Sequence, residues 1–159
     1  MWPPWGSGPC SVLGEWAPDF PERQRRSLVF DHVEIPVADL ETSSAFYELV
    51  LEPLGIQPTS SSTEAVELGA LVLVPRPTRE RLHVAFIAES RGAVEEFHRR
   101  GVEAGYRDNG APGLRDYAPD YFAAYLLDPD GHNVEAVHRS PETRSGWNWL
   151  GLGLVRDGR

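Results

Sequence analysis

A carboxylate set inside an apolar strand constrains this chain more than any other feature of its sequence. The stretch Ala124-Tyr125-Leu126-Leu127-Asp128-Pro129-Asp130-Gly131-His132-Asn133-Val134-Glu135-Ala136-Val137 reads as a strand, a tight Asp-Pro-Asp-Gly turn and a second strand. Glu135 lies between Val134 and Ala136, in a segment whose other residues favour burial. A buried carboxylate is costly unless it is paired or bound to a metal. The fold has to bring it a partner.

Two further segments have the same character. Phe30-Asp31-His32-Val33-Glu34-Ile35-Pro36-Val37 carries His32, and Leu82-His83-Val84-Ala85-Phe86-Ile87 carries His83. Each histidine sits in a short apolar run that reads as a strand. Strand alternation places Phe30, His32 and Glu34 on one face, His83 with Ala85 and Ile87, and Glu135 with Asn133 and Val137. On one curved sheet, two imidazoles and a carboxylate converge from one side and leave the other side of an ion open. That donor set suits Fe(II), Mn(II), Ni(II) or Zn(II), and the open positions suit Lewis-acid or oxygen-activating chemistry. The competing reading is plain. A single histidine in an apolar strand is more often a hydrogen-bonded core residue, and Glu135 can equally pair with an arginine.

Taken in order, the chain repeats itself. Residues 1–27 are rich in Trp, Pro, Gly and charge without a sustained period, and read as an arm. A strand over 28–37 follows, with Pro36 at its end or on an edge. Asp39 is positioned to cap a helix running to Leu51, with Phe46, Val50 and Leu54 on one side and Gly55 closing the region. Val66–Leu68 and Ala70–Val74 suggest a hairpin stopped by Pro75-Arg76-Pro77. The order then restarts with a strand over 82–88, a helix over 91–100 capped by Ser90 and stopped by Gly101, and the opening hairpin over 121–127 and 133–138. Val94, Phe97 and Phe46 read as core, Glu34 and Glu67 as solvent-facing, His98 as an exposed helix residue, and His132 as structural or rim. Residues 139–159 form a polar-to-aromatic tail.

Between the second helix and the final hairpin, residues 107–120 read as a long loop, and such loops are often functional. Arg115, Tyr117 and Tyr121 are its candidate substrate-binding residues. Arg115 offers a planar fork to a carboxylate or enolate, and pairing with Asp108 or Asp116 on a wet surface is an equal alternative.

Composition removes several classes of function. The net charge is -9, with 24 acidic residues against 15 basic ones, all of them arginine, so a phosphate backbone is repelled and nucleic acid is not an expected partner. No apolar run is long enough to span a membrane. The start, Met1-Trp2-Pro3-Pro4, has no secretory pattern, and the single cysteine, Cys10, excludes intrachain disulfides, so the expected setting is cytoplasmic.

The segments FDHVEIPVADLETSSAFYE, LHVAFIAESRGAVEEFHRRGVEAG and DNGAPGLRDYAPDYFAAYLLDPDGHNVEAVH together resemble the glyoxalase/bleomycin-resistance/extradiol-dioxygenase family, the vicinal oxygen chelate superfamily. The resemblance covers about residues 28–139, and the last motif is fairly specific. It implies an α+β fold of two βαβββ modules, 28–75 and 82–139, forming a cupped mixed sheet around a divalent metal, with residues 140–159 as a tail. It implies that His32, His83 and Glu135 fill ligand positions, that the substrate is a small molecule with vicinal oxygens, and that the protein forms a homodimer. One departure stands out. Glyoxalase I and related epimerases place a fourth ligand on the last strand of the first module, where this chain has Ala70-Leu71-Val72-Leu73-Val74. This counts against a two-base epimerase mechanism. The family also contains metal-free drug-binding dimers with aromatic-lined cups; retention of all three candidate ligands favours a metalloenzyme, lyase, isomerase or dioxygenase in type.

Overall fold

Alternation of apolar and polar residues draws the first strand, β1 (Val33–Val37), into place with Ile35 and Val37 fully buried. The structure, a computed structural model, describes residues 30–140 and residue 143. Two compact units divide the chain, Met1–Asp31 and His32–Arg159, and every element below lies in the second. Helix α1 (Leu40–Leu51) begins where expected, with the Asp39 side chain accepting from Thr42 N. A 3-10 turn (Glu52–Leu54) and Gly55 in the left-handed region (φ 76°) end it. Then come β2 (Ser60–Ser61), β3 (Val66–Leu68) and β4 (Leu71–Pro75). The second series is β5 (His83–Ile87), α2 (Arg91–Glu103), β6 (Arg107–Leu114), β7 (Phe122–Leu127) and β8 (Asn133–His138).

Each series is a βαβββ unit, and the whole is α+β as expected. The strands form two four-stranded sheets, in the orders β1-β4-β3-β2 and β5-β8-β7-β6. In each, the first strand lies parallel to the last and the remaining pairs run antiparallel. One face of each sheet buries against its helix. Ile35, Val37, Leu71 and Leu73 meet Phe46, Tyr47 and Val50 in the first unit, and Ala88, Leu126, Val134 and Ala136 meet Val94 and Phe97 in the second. The opposite face of β5, carrying His83, Ala85 and Ile87, is exposed.

The Asp-Pro-Asp-Gly turn joins the two units rather than merely reversing the chain. Tyr47 Oη donates to Asp128 Oδ2 at 2.9 Å, Ser43 Oγ to Asp130 Oδ2 at 3.1 Å, and Ala38 N to Asp130 Oδ1 at 3.0 Å. His132, fully buried, accepts from Leu82 N at Nδ1 (3.1 Å) and donates from Nε2 to Pro36 O (3.0 Å). It is structural, as its alternation from Glu135 implied.

Several expectations are corrected. The first strand begins at Val33, so His32 lies in coil just ahead of it, and residues 28–29 lie outside the described ones. Helix α2 continues past Gly101 to Glu103. Gly101 is instead a packing residue, since a Cβ there would stand 2.3 Å from Leu126 Cδ1. The expected loop over 107–120 is for the most part an edge strand, β6, with register shifts between Asp108 and Gly110 and between Gly110 and Gly113. An outer strand tolerates Pro112 and bulges because half its ladder groups face water, and so turn-forming residues concealed a strand. His98 is mostly covered and paired with Asp108 at 3.0 Å. That contact removes Asp108 as the surface partner considered for Arg115. The tryptophans of both termini lie outside the described residues. Among the described residues no helix is long and apolar enough to cross a membrane.

Candidate metal and substrate site

The parallel pairing of β5 with β8 sets Ala85 opposite Glu135 and His83 opposite Asn133. His83 therefore stands diagonally across from Glu135 on the exposed face of the second sheet, within reach of a long side chain. Its Nε2 lies 2.8 Å from Glu135 Oε2. Tyr121 Oη donates to the other carboxylate oxygen, Oε1, at 2.7 Å. Glu135 is 2% exposed, although the face it occupies is open. Its neighbours cover it, while the His83 side chain remains 52% exposed. No arginine pairs with Glu135 among the described residues.

The far side of the imidazole is also held. Asn133 Nδ2 donates to His83 Nδ1 at 2.7 Å, and Asn109 Nδ2 donates to Asn133 Oδ1 at 3.0 Å. A continuous chain of hydrogen bonds thus runs Asn109–Asn133–His83–Glu135–Tyr121. It leaves the His83 proton on Nε2, directed at the carboxylate. Burial, followed by the Glu135 carboxylate it bonds, pushes the Tyr121 hydroxyl well above its ordinary range, so it is a neutral donor.

Residues 115–121 link β6 to β7 and carry the other candidates. The loop is closed by Arg115 N donating to Tyr121 O (2.8 Å) and anchored by Asp120, which pairs with Arg91 and accepts from Ser140 N. Asp120 itself sits at φ 58°, which a short polar side chain tolerates. Tyr121 points into the site. Tyr117 packs edge-on against it, 5.4 Å between ring centroids, and is 69% exposed, which makes it a rim residue. Arg115 lies over the ring of Tyr125, its carbon Cζ 5.2 Å from the centroid, and donates to the carbonyls of Ala111 and Ala123. Neither Asp108 nor Asp116 pairs with it.

His83, Glu135 and Tyr121 are thus brought together, with Arg115 and Tyr117 beside them. His32 is not brought to them: among the described residues no group of three or more His, Cys, Asp or Glu side chains is placed to hold a metal ion. Sequence reasoning missed Tyr125, Asn133 and Asn109. Tyr125 faces Glu135 directly across β7 and β8, and its ring centroid is 6.2 Å from that of His83. Its position two strands' pairing away from His83 was readable from the hairpin register, whereas the Asn109 contact depends on the bulged edge strand.

Comparison with known proteins adds the following. A family model described as the glyoxalase/bleomycin resistance protein/dioxygenase superfamily matches residues 29–136. A glyoxalase/bleomycin resistance protein from Albidiferax ferrireducens has a similar structure, with TM-score 0.58 and 31% identity over 70% of this chain and 98% of that one. The genomically encoded fosfomycin resistance protein FosX of Listeria monocytogenes is similar at TM-score 0.55 and 19% identity, over 70% of this chain and 93% of that one. A lactoylglutathione lyase from Agrobacterium tumefaciens is similar at TM-score 0.53 and 19% identity, over the same shares. No curated protein matches.

Proposed function

Because the chain belongs to the glyoxalase/bleomycin resistance protein/dioxygenase superfamily, we propose that it is a metal-dependent enzyme acting on a small substrate with vicinal oxygens. His32, His83 and Glu135 hold a divalent ion, iron, manganese, nickel or zinc. The observation that carries this reading is Glu135, a carboxylate 2% exposed on an open sheet face, with only an imidazole and a phenol as partners among the described residues. Neither partner neutralises it as a cation does.

The donor set fits an ion. Nε2 of His83 and Oε2 of Glu135 converge on the open side of the sheet. Ligation through Nε2 requires the proton to move to Nδ1. A half-turn of the Asn133 amide presents Oδ1 to that proton, and the Asn109 amide turns with it. Metal-binding histidines commonly donate their second ring nitrogen in this way.

Bound there, the ion would polarise two adjacent substrate oxygens as a Lewis acid. The chain's own residues supply the rest. Tyr121 fixes Glu135 through Oε1, Asn133 fixes the His83 ring, and Arg115 and Tyr117 flank the approach as substrate-binding groups. His32 reaches the site from a second copy of the chain, whose first unit covers the exposed face of β5. The supporting observation is that His32 and His83 occupy matching places in the repeat yet are not assembled into one site. A homodimer with two shared sites follows.

Elemental analysis of untagged protein tests the metal, with about one ion per chain expected for wild type and none for Glu135→Ala. Mixing His32→Ala with Glu135→Ala chains tests the sharing. Each mixed dimer regains one intact site, so the refolded mixture should recover about a quarter of the wild-type metal content. No recovery places all three ligands on one chain. A metal-free binding protein is the second reading, favoured by the packed rings of Tyr117 and Tyr121 and by Tyr125 opposite Glu135. It prevails if no ion binds on titration.

A further inference from the structure

Among the described residues, two buried donors beside the His83–Glu135 pair have no acceptor outside their own corner. Tyr125 is 8% exposed and its hydroxyl makes no hydrogen bond; the Nε of Arg115 is likewise buried and unbonded. Native proteins seldom leave such groups unmatched, since each costs about 1–3 kcal/mol. These two belong to one corner. The guanidinium lies over the Tyr125 ring, and its bonds go to main-chain carbonyls of Ala111 and Ala123, with no carboxylate paired to it among the described residues.

The corner is also shaped for its contents. Gly110 allows the Tyr125 ring to lie against the backbone of β6, where a Cβ would stand 2.7 Å from Tyr125 Cδ2. Gly110 and Gly113 both leave room for the Arg115 guanidinium, 3.6 Å from where their Cβ atoms would be. Burial, the first cause, and the nearby Glu135 carboxylate keep the Tyr125 hydroxyl protonated against the opposing influence of Arg115, so it presents a hydrogen. Arg115 is only half-buried at the end of the edge strand, and an outward swing of its side chain opens both donors.

The geometry points to an oxyanion subsite: Arg115 Nε and Tyr125 Oη receive a carboxylate or phosphonate group of the substrate, one side chain away from the His83–Glu135 pair. This deepens the reading of the face as a substrate site and rests on it. The substrate class becomes a small acid whose anionic group docks at the tyrosine–arginine corner while its neighbouring oxygens reach toward Glu135. The positive charge of Arg115 disfavours an ammonium group at this position. The proton on Tyr125 matches a charged oxygen better than a carbonyl.

The test uses the full chain stripped of metal with a chelator, so that binding at the corner is read apart from any ion. Lactate, methylphosphonate and the uncharged lactamide are titrated by calorimetry or by shifts in the tyrosine resonances. Binding of either acid in the millimolar range, at least about tenfold tighter than lactamide, supports the subsite, and the tighter acid identifies the head group. Tyr125→Phe, which removes only the unbonded hydroxyl, and Arg115→Gln should each weaken that binding about tenfold. Equal binding of acid and amide, no acid binding, or full retention in Tyr125→Phe overturns the proposal. Failure of the metal reading looks different: no ion binds, yet the acid titration is unaffected.

Discussion

Val33 pairs with Leu71 in the first unit as Val84 pairs with Val134 in the second, and both parallel pairs continue in step from there. The antiparallel neighbours match as well, Glu67 opposite Val72 and Tyr125 opposite Glu135. On this shared frame His32 is the counterpart of His83, Val72 of Glu135, Ala70 of Asn133 and Glu67 of Tyr125. The inward residues correspond too, Ile35 with Phe86, Val37 with Ala88 and Phe46 with Phe97. The helix-facing side of the repeat is therefore conserved in kind, apolar against apolar. Its open side differs: the second unit mounts a carboxylate, a phenol and an amide where the first has Val72, an exposed glutamate and an alanine. The βαβββ frame supplies position and register, and the carboxylate, phenol and amide are added to only one copy of it.

Exchanging these residues should have the largest effect. Glu135→Val makes the second unit like the first, and should reduce bound metal from about one ion per chain to none. Val72→Glu does the reverse, adding a fourth donor at the matching place. If the two units of neighbouring chains face one ion, it should tighten metal binding by about tenfold or more, read by competition with a chromophoric chelator. Unchanged affinity would separate the two faces.

The next contrast concerns support for the imidazole. Asn133→Ala removes the group that holds His83 at Nδ1 and should weaken metal binding about 10–100-fold. Full affinity in this variant would leave the Asn109–Asn133 pair a purely structural feature.

A smaller effect is expected on the buried side. Gly101 is the counterpart of Val50, and it is glycine because Leu126 occupies the space a side chain would need. Gly101→Ala should cost about 1–3 kcal/mol in chemical denaturation. Gly92→Ala in the same helix meets only Ser90 Oγ at 3.7 Å, and should be stabilising by about 0.5–1 kcal/mol. Equal effects would mean that the helix yields at Gly101 without strain.

The smallest effect lies at the junction of the units. Burial, ahead of the hydrogen bonds from His132 N and Tyr47 that oppose it, raises the Asp128 pKa above its ordinary value of 3.8. A raised carboxyl pKa leaves stability unaffected while both states are protonated. As pH climbs through 3.8 the unfolded chain releases its proton first, so stability declines until the folded pKa is passed. The advantage of wild type over Asp128→Asn in thermal unfolding should be greatest at acid pH and shrink through that window. A gap that widens with pH would reverse the sign.

Much of this was legible before folding. Asp39 and Ser90 cap their helices as their residue types require, with side chains accepting from Thr42 N and Ala93 N. Apolar alternation located six of the strands and separated the core from the outer face, because burial follows periodicity. Pairing of His83 with Glu135 was legible for the same reason, since neither group is placed cheaply in such strands. Strand β6 was hidden because an edge strand need not satisfy both faces, and Asn, Gly and Pro therefore do not exclude it. The stop expected at Gly101 failed because glycine has two uses, ending a helix or permitting close packing, and only Leu126 distinguishes them.

The sequence by itself determined two α+β repeats, their caps and cores, and which side chains had to find polar partners. Those are consequences of local periodicity and of the cost of burying charge. Tertiary structure alone decided that Asn133 holds the back of His83, that Asp128, Asp130 and His132 fasten one unit to the other, and that Tyr125 and Arg115 share a corner without acceptors. It also decided that His32 stands apart from the His83–Glu135 pair within one chain. Such facts depend on which strands lie side by side and how edge strands bulge, and those distances are set by the assembly of elements far apart in the chain.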